Sequence, residues 1–192
     1  MTDDATPAAR HAAATDIALV GTGAALVAVC SLLAIPVGSA GVPITLQTFG
    51  VLLVGAVLGA RRGAFAVLLY LLVGFAGLPV FAEGVGGLAT FGRPSIGYLL
   101  AFPIAAWVTG AVTHRGSRRW TAHLVRLVLA VIAATLVVYA IGVPVLALRI
   151  GVGLPEALAI NAAYVPFDAI KAVVVVIVAG AVHRAYPDLV RS

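Results

Sequence analysis

Apolar residues run along this chain in six long blocks, at 17–36, 46–60, 64–78, 96–112, 124–148 and 157–182, separated by short polar or Gly/Pro-rich stretches. Each block is long enough, or nearly so, for a helix that crosses a bilayer. The second and third are the short ones, about 15 residues or 22 Å at 1.5 Å per residue. They are therefore open to tilting, to local thinning of the bilayer or to pairing as a re-entrant hairpin. Arg61 and Arg62 lie between them. A re-entrant hairpin would leave both guanidiniums at membrane depth, whereas two full crossings put them in water, so the arginines argue for crossings. The pattern predicts an all-α integral membrane protein with six transmembrane helices in one compact bundle. A loose tail is expected over 1–16, the bundle over 17–185 and a second tail over 186–192. No internal repeat or linker interrupts the chain.

Composition narrows the class. The chain has 192 residues, 62% hydrophobic and 10% charged, with a mean hydropathy of +1.15, which excludes a soluble globular or a disordered protein. A net charge of +5 and a pI near 10.0 raise the question of nucleic acid, but no basic stripe with interleaved aromatics is present to track phosphates. The positive charge bears on orientation instead, because cytoplasmic loops keep Lys and Arg. With six spans and the N-terminus inside, Arg10, Arg61, Arg62, Arg115, Arg118, Arg119, Arg126, Arg184 and Arg191 fall on the cytosolic side, and only Arg93 and Arg149 fall outside. Both termini are thus expected in the cytosol. Residues 37–45, 79–95 and 149–156 are expected to form an outward entrance. Asp3, Asp4 and Asp16 with the single Arg10 make the start of the chain a poor match to a cleavable signal sequence. Cys30 stands alone in an apolar run, so no intrachain disulfide is possible, and it reads as a small buried apolar residue.

Several chemistries are missing from the residue inventory. Lys171 is the only lysine and follows Ile170, so there is no phosphate-binding G-x-x-x-x-G-K-[ST] loop, and any energy from ATP must come from a partner. No H-E-x-x-H is present. His11, His114, His123 and His183 lie near the predicted cytosolic edges rather than at ligand spacing, so no metal site is expected. There is no G-x-S-x-G elbow, and enzymatic activity is not expected.

What remains is polar chemistry inside the apolar blocks. Asp168 and Lys171 are the only formal charges in 157–182. A lipid-facing charge there would cost roughly 2.5–3.5 kcal/mol on insertion scales. Three apart, they share one helix face and can either line a cavity for a polar solute or clamp helices together. Asn161, seven residues earlier, would lie two turns along nearly the same face, at the edge of such a cavity or in a helix–helix hydrogen bond. The segment from Gly41 to Gly50 carries Pro43 and the uncharged hydrogen-bonding side chains Thr45, Gln47 and Thr48. It suits a cavity lip, or else an ordinary helix start with Thr45 as cap. Gly55 and Gly59 form a G-x-x-x-G face expected to pack helices closely. The Gly/Pro-dense stretch 74–97 can fold back as a cap over an outward pocket.

Three strings in this order, VPITLQTFGVLLVGAVLGARRGAFAVLLYLLVGFAGLPVFA, GRPSIGYLLAFPIAA and VPFDAIKA, resemble the BioY family, the biotin-specific S-components of energy-coupling factor (ECF) transporters. The resemblance covers roughly residues 20–185. It implies a multi-pass protein of a prokaryotic cell membrane that captures biotin from outside. It also implies a transmembrane T-subunit and two ATPases as partners, and no cofactor of the chain's own. The family's P-x-D-x-x-K-like motif falls on Pro166, Asp168 and Lys171, and its G-Y-L-like motif on Gly97, Tyr98 and Leu99. On that basis Asp168 accepts from the ureido N–H groups, and Lys171 donates to the ureido carbonyl or pairs with the valerate carboxylate. Tyr98 packs on the bicycle or anchors at the membrane interface, while Gln47, Thr45 and Asn161 are further candidates. Where the family often reads G-P-T-x-G-Y, this chain has Arg93 inserted after Gly92 and Ser95 in place of threonine, so Arg93 either contacts the substrate carboxylate or is solvated beside Glu83. Ala24 and Ala28 match the family's Ala-x-x-x-Ala docking signature for the T-subunit, a spacing that also serves packing within the chain. Two other readings stay open: an S-component for another small vitamin, or a membrane scaffold whose Asp168–Lys171 pair is purely structural.

Overall fold

Gly59 joins two of the six apolar blocks into one helical element that doubles back on itself. The structure, a computed structural model, describes residues 7–35, 42–114 and 119–187. Asp3, Asp4, residues 36–41, Arg115, Arg118 and the end of the chain with Arg191 lie outside the described residues, as does the side chain of Arg10. In order come α1 (Pro7–Leu32), β1 (Ala34–Ile35), β2 (Ile44–Thr45), α2 (Gln47–Phe75), short 3-10 turns at Ala82–Gly84 and Leu88–Gly92, α3 (Ile96–Thr113), α4 (Trp120–Ile150), α5 (Leu154–Ala162) and α6 (Val165–Ala185). The two strands form a small antiparallel ribbon, Ala34 opposite Thr45.

Within α2, Gly59 has φ 82° and ψ 177°, a conformation that L side chains rarely adopt. The helix reverses there. The Gln47 side-chain amide donates to the Tyr70 hydroxyl at 2.7 Å, two residues that a straight helix would hold roughly 34 Å apart. The arms, residues 47–58 and 60–75, are therefore antiparallel neighbours. Arg61 and Arg62 sit in the first turn of the second arm, and Arg62 pairs with Asp16 of α1 at 2.7 Å with both side chains well exposed. Both members of the G-x-x-x-G pair approach α3 closely, Gly55 against Ala106 and the Gly59 backbone against Gly110, and Gly59 forms the reversal as well.

A helix that ends at Gly59 leaves its last carbonyls without partners in the helix. The Ala56 carbonyl is met instead by Nε2 of His114 at 2.8 Å and Nε2 of His183 at 3.1 Å, and Nε2 of His123 lies 2.9 Å from Nδ1 of His183. Histidines spread over α3, α4 and α6 thus converge on one helix end, although nothing in their spacing brings them together. Each ring that meets the carbonyl presents a donating Nε2–H, which leaves Nδ1 of His183 to accept from His123.

Two further expectations change. The first ten residues of α1, expected as part of a tail, are helical from Pro7. The last apolar block is divided: α5 ends at Ala162 and α6 begins at Val165, with Pro166 in its first turn. Proline has no N–H to continue the ladder, and the chain closes α5 with Ala163 and Tyr164 donating to carbonyls three residues back.

Among the described residues five helices, α1 from Ala13, α2, α3, α4 and α6, are long and apolar enough to cross a membrane, with α2 counted once despite its reversal. The core between them is built of Val27, Val51, Leu52, Val67, Ala105, Ala106, Leu127, Val131 and Val175. Phe65, Leu72, Leu136 and Ile177 are exposed on the outer faces. Apolar side chains on the outside and tight packing within suit a lipid surround, which matches the all-α membrane class.

Candidate binding site

The end of the bundle away from Gly59 holds a cavity. Its unfilled space, open mouth included, is about 740 Å³. Five stretches converge on it: the start of α2 with β2, the loop between α2 and α3, the first turns of α3, the middle of α4, and the junction of α5 with α6. All seven residues singled out as candidate ligand contacts, Thr45, Gln47, Arg93, Tyr98, Asn161, Asp168 and Lys171, line this one cavity.

Asp168 and Lys171 come from the first turns of α6, where Pro166 starts the helix and sets the face. Lys171 Nζ lies 2.8 Å from Asp168 Oδ1, and both side chains are 10% exposed. The second carboxylate oxygen, Oδ2, accepts the Tyr139 hydroxyl from α4 at 2.6 Å. The pair is neither turned into lipid nor sealed from the cavity. Tyr139 was not foreseen, although a tyrosine in the middle of the apolar block 124–148 is a signal, since its hydroxyl needs a partner there. Tyr139→Phe removes a hydrogen bond to a charged group, a contribution of about 1.5–3 kcal/mol. A lower midpoint in thermal unfolding is the expected result.

The Tyr98 ring lies over Gly142 of α4, and its hydroxyl donates to Asn161 Oδ1 at 3.0 Å. Asn161 reaches the cavity from the end of α5 rather than from two turns along α6, so the residue was found through a helical continuity that does not exist. Tyr164, between the two helices, anchors the lip by donating to the Val42 carbonyl at 2.8 Å. Burial pushes its pKa up, so the hydroxyl remains a donor.

Gln47 is buried rather than interfacial, held by Tyr70. Thr45 accepts from the Gln47 backbone N–H at 3.2 Å, as the helix-start reading has it, while also lining the cavity. The α2–α3 loop folds over as a lid: Ser31 of α1 hydrogen-bonds to the Val80 carbonyl, and the buried Phe81 ring meets Tyr70 and Phe75 edge-on. Arg93 pairs with Glu83 across this loop, as one of its two readings has it, and also borders the cavity. Ala24 and Ala28 lie elsewhere, on α1; Ala24 is buried against the core and Ala28 is partly buried against it.

The arrangement is a partly open slot whose lining joins an acid–base pair, phenols, amides and hydroxyls with the apolar side chains of Phe81, Leu99, Phe102 and Val138. It suits an uncharged polar ring with an apolar body, held by several directed hydrogen bonds. Among the described residues no group of three or more His, Cys, Asp or Glu side chains is arranged to hold a metal ion.

The chain matches the BioY family over residues 3–188. A protein of Rhizobium etli named biotin transporter BioY is 41% identical over 179 residues, which cover 91% of this chain and 96% of that protein. A biotin transporter BioY of Rhodobacter capsulatus is 41% identical over 183 residues, covering 90% of this chain and 95% of the relative. Among solved structures, the S-component for biotin from an ECF-type ABC transporter superposes with a TM-score of 0.81 at 26% identity, over 96% of this chain and 95% of that one.

Proposed function

The chain belongs to the BioY family, and from that membership we propose that it is a biotin-binding S-component, which captures the vitamin from outside and delivers it with the help of an ECF module. The observation that carries this reading is the Asp168–Lys171–Tyr139 cluster, buried among apolar helices yet bordering an open cavity. Biotin offers groups of matching type. Its two ureido N–H groups can donate to the Asp168 carboxylate, its ureido carbonyl can accept from Lys171, and its apolar bicycle can pack on Tyr98 and Phe102. Gln47, Thr45 and Asn161 would complete the polar wall. An ammonium already satisfied by Asp168 donates to a neutral carbonyl with less rearrangement than it would need to pair with a second carboxylate.

In this proposal the chain crosses the membrane six times, through α1, the two arms of α2, α3, α4 and α6. An even count returns both termini to one side, and the arginine bias of the loops makes that side the cytosol. The cavity then opens outward from the plasma membrane of a prokaryote. A T-subunit and two ATPases supply the energy, since Lys171 is the only lysine and belongs to the site rather than to a phosphate loop. Docking of the T-subunit on α1 belongs to the same proposal and draws on the half-buried side at Ala28, since Ala24 is buried against the chain's own core.

Calorimetric titration of the purified protein with biotin tests the reading. Saturable heat is expected. At a ligand concentration 100 times the Kd, mass action adds about 2.7 kcal/mol of stability, visible as a rise in the unfolding midpoint. Heat and stabilisation from a different vitamin, with none from biotin, would reassign the substrate. Uptake that persists without the ATPases would remove the module from the proposal.

A further inference from the structure

Thr90 is 1% exposed, lines the cavity, and its hydroxyl has no hydrogen-bond partner among the described residues. Its backbone is satisfied on both sides: its N–H donates to the Gly87 carbonyl at 3.2 Å, and its carbonyl accepts from Arg93 N–H at 3.0 Å. The side chain alone is left over. Other threonines of this chain turn their hydroxyls onto a carbonyl four residues back, Thr109 onto Ala105 at 2.8 Å and Thr135 onto Val131 at 2.9 Å. Thr90 sits in a five-residue 3-10 turn, Leu88–Gly92, and makes no such bond. A buried hydroxyl without a partner costs roughly as much as the hydrogen bond it forgoes, which marks it as a group waiting for a ligand or a water.

Its neighbour indicates which part of a ligand it meets. Arg93 follows the turn as its extended cap, its N–H held by the Thr90 carbonyl, and both residues line the cavity, as one polar edge contributed by the lid loop. That edge carries an O–H donor and a guanidinium, the latter held by Glu83. The polar groups at the α6 side are already engaged with one another, Lys171 with Asp168 and Tyr139 with Asp168. We infer that the Thr90 hydroxyl, beside Arg93, hydrogen-bonds the carboxylate end of the bound ligand and so sets which way round it lies. The inference rests on the biotin reading and deepens it: the ureido ring points to α6, the valerate to the lid, and the carboxylate shares Arg93 with Glu83.

Binding measurements on four proteins test it: wild type, Thr90→Val, Thr90→Ser and Thr113→Val. Thr113 is the control, a second buried hydroxyl without a partner that does not line the cavity. Without ligand, both valine variants are expected to unfold at or above the wild-type midpoint, since an isosteric methyl replaces an unsatisfied hydroxyl. Thr90→Val should raise the Kd for biotin roughly 10- to 100-fold, the loss expected of a hydrogen bond to a charged group. Thr90→Ser and Thr113→Val should stay near wild type. An analogue ending in a methyl group in place of the carboxylate should bind wild type and Thr90→Val equally. Unchanged biotin affinity in Thr90→Val overturns the inference, and so does an equal loss with the methyl analogue. If the wild type itself binds no biotin, the parent reading fails, and this inference fails with it in a separate arm.

Discussion

Asp168→Asn should weaken biotin binding at least 100-fold and lower the unfolding midpoint of the ligand-free protein as well. The carboxylate holds two partners, Lys171 at 2.8 Å and Tyr139 at 2.6 Å, with both members of the ion pair only 10% exposed. An amide keeps the shape but has a single acceptor oxygen and no charge. Each charge-assisted hydrogen bond lost to the ligand counts for about 1.5–3 kcal/mol, and two such bonds give the stated factor or more. The stability loss has a different source: Lys171 is left as a buried ammonium without a counter-ion, a defect of about 3–5 kcal/mol in comparable cases. The two effects separate in a double variant. Asp168→Asn with Lys171→Met removes the stranded charge, so the midpoint should recover toward wild type while biotin binding stays absent. A double variant that binds biotin with wild-type affinity would make the pair a helix clamp and nothing more.

How much of this was legible in the sequence divides along physical lines. Charges inside an apolar block are expensive wherever the helices lie, so Asp168 and Lys171 pointed to a cavity or a helix clamp before any packing was known. Thr45, Gln47, Tyr98, Asn161 and Arg93 were reached through local polarity and family motifs, and they meet at the same cavity. Contacts that depend on how separate helices turn their faces were not legible. Tyr139 meets Asp168 across two helices, and His114 and His183 at the Ala56 carbonyl, with His123 bonded to His183, come from separate parts of the chain with no periodicity linking them. The break before Pro166 was written in the proline, yet the apolar run across it masked the interruption. The spacing of Gly55 and Gly59 marked the close approach to α3 but not the reversal, since G-x-x-x-G does not distinguish a stripe that runs on from one that stops at a turn.

Gly55→Val should prevent recovery of folded protein altogether, whereas Gly21→Ala should be tolerated. The first arm of α2 passes α3 so closely that a Cβ on residue 55 would lie 2.9 Å from the Ala106 Cα and closer still to the Ala106 carbonyl oxygen. Retreat is blocked on the other side, where the second arm brings Gly63 so near that its own Cβ would stand 2.8 Å from the Gly55 Cα. The obstacles on both sides are backbone, so no rotamer change relieves the clash. Overpacking in a core commonly costs about 1–3 kcal/mol when side chains can adjust, and here the adjustment would have to separate whole helices. Separating them would also disturb the site, because the same α2 arm carries Gln47 and the same α3 carries Tyr98. At Gly21 a Cβ would meet nothing within 4 Å, and an alanine there gains up to about 1 kcal/mol of helix propensity. Detergent-extracted protein, followed by size-exclusion chromatography and thermal unfolding, distinguishes the two. A monodisperse Gly55→Val protein with a wild-type midpoint would mean that the arms and α3 are further apart than this packing requires, and the cavity walls built on them would have to be redrawn.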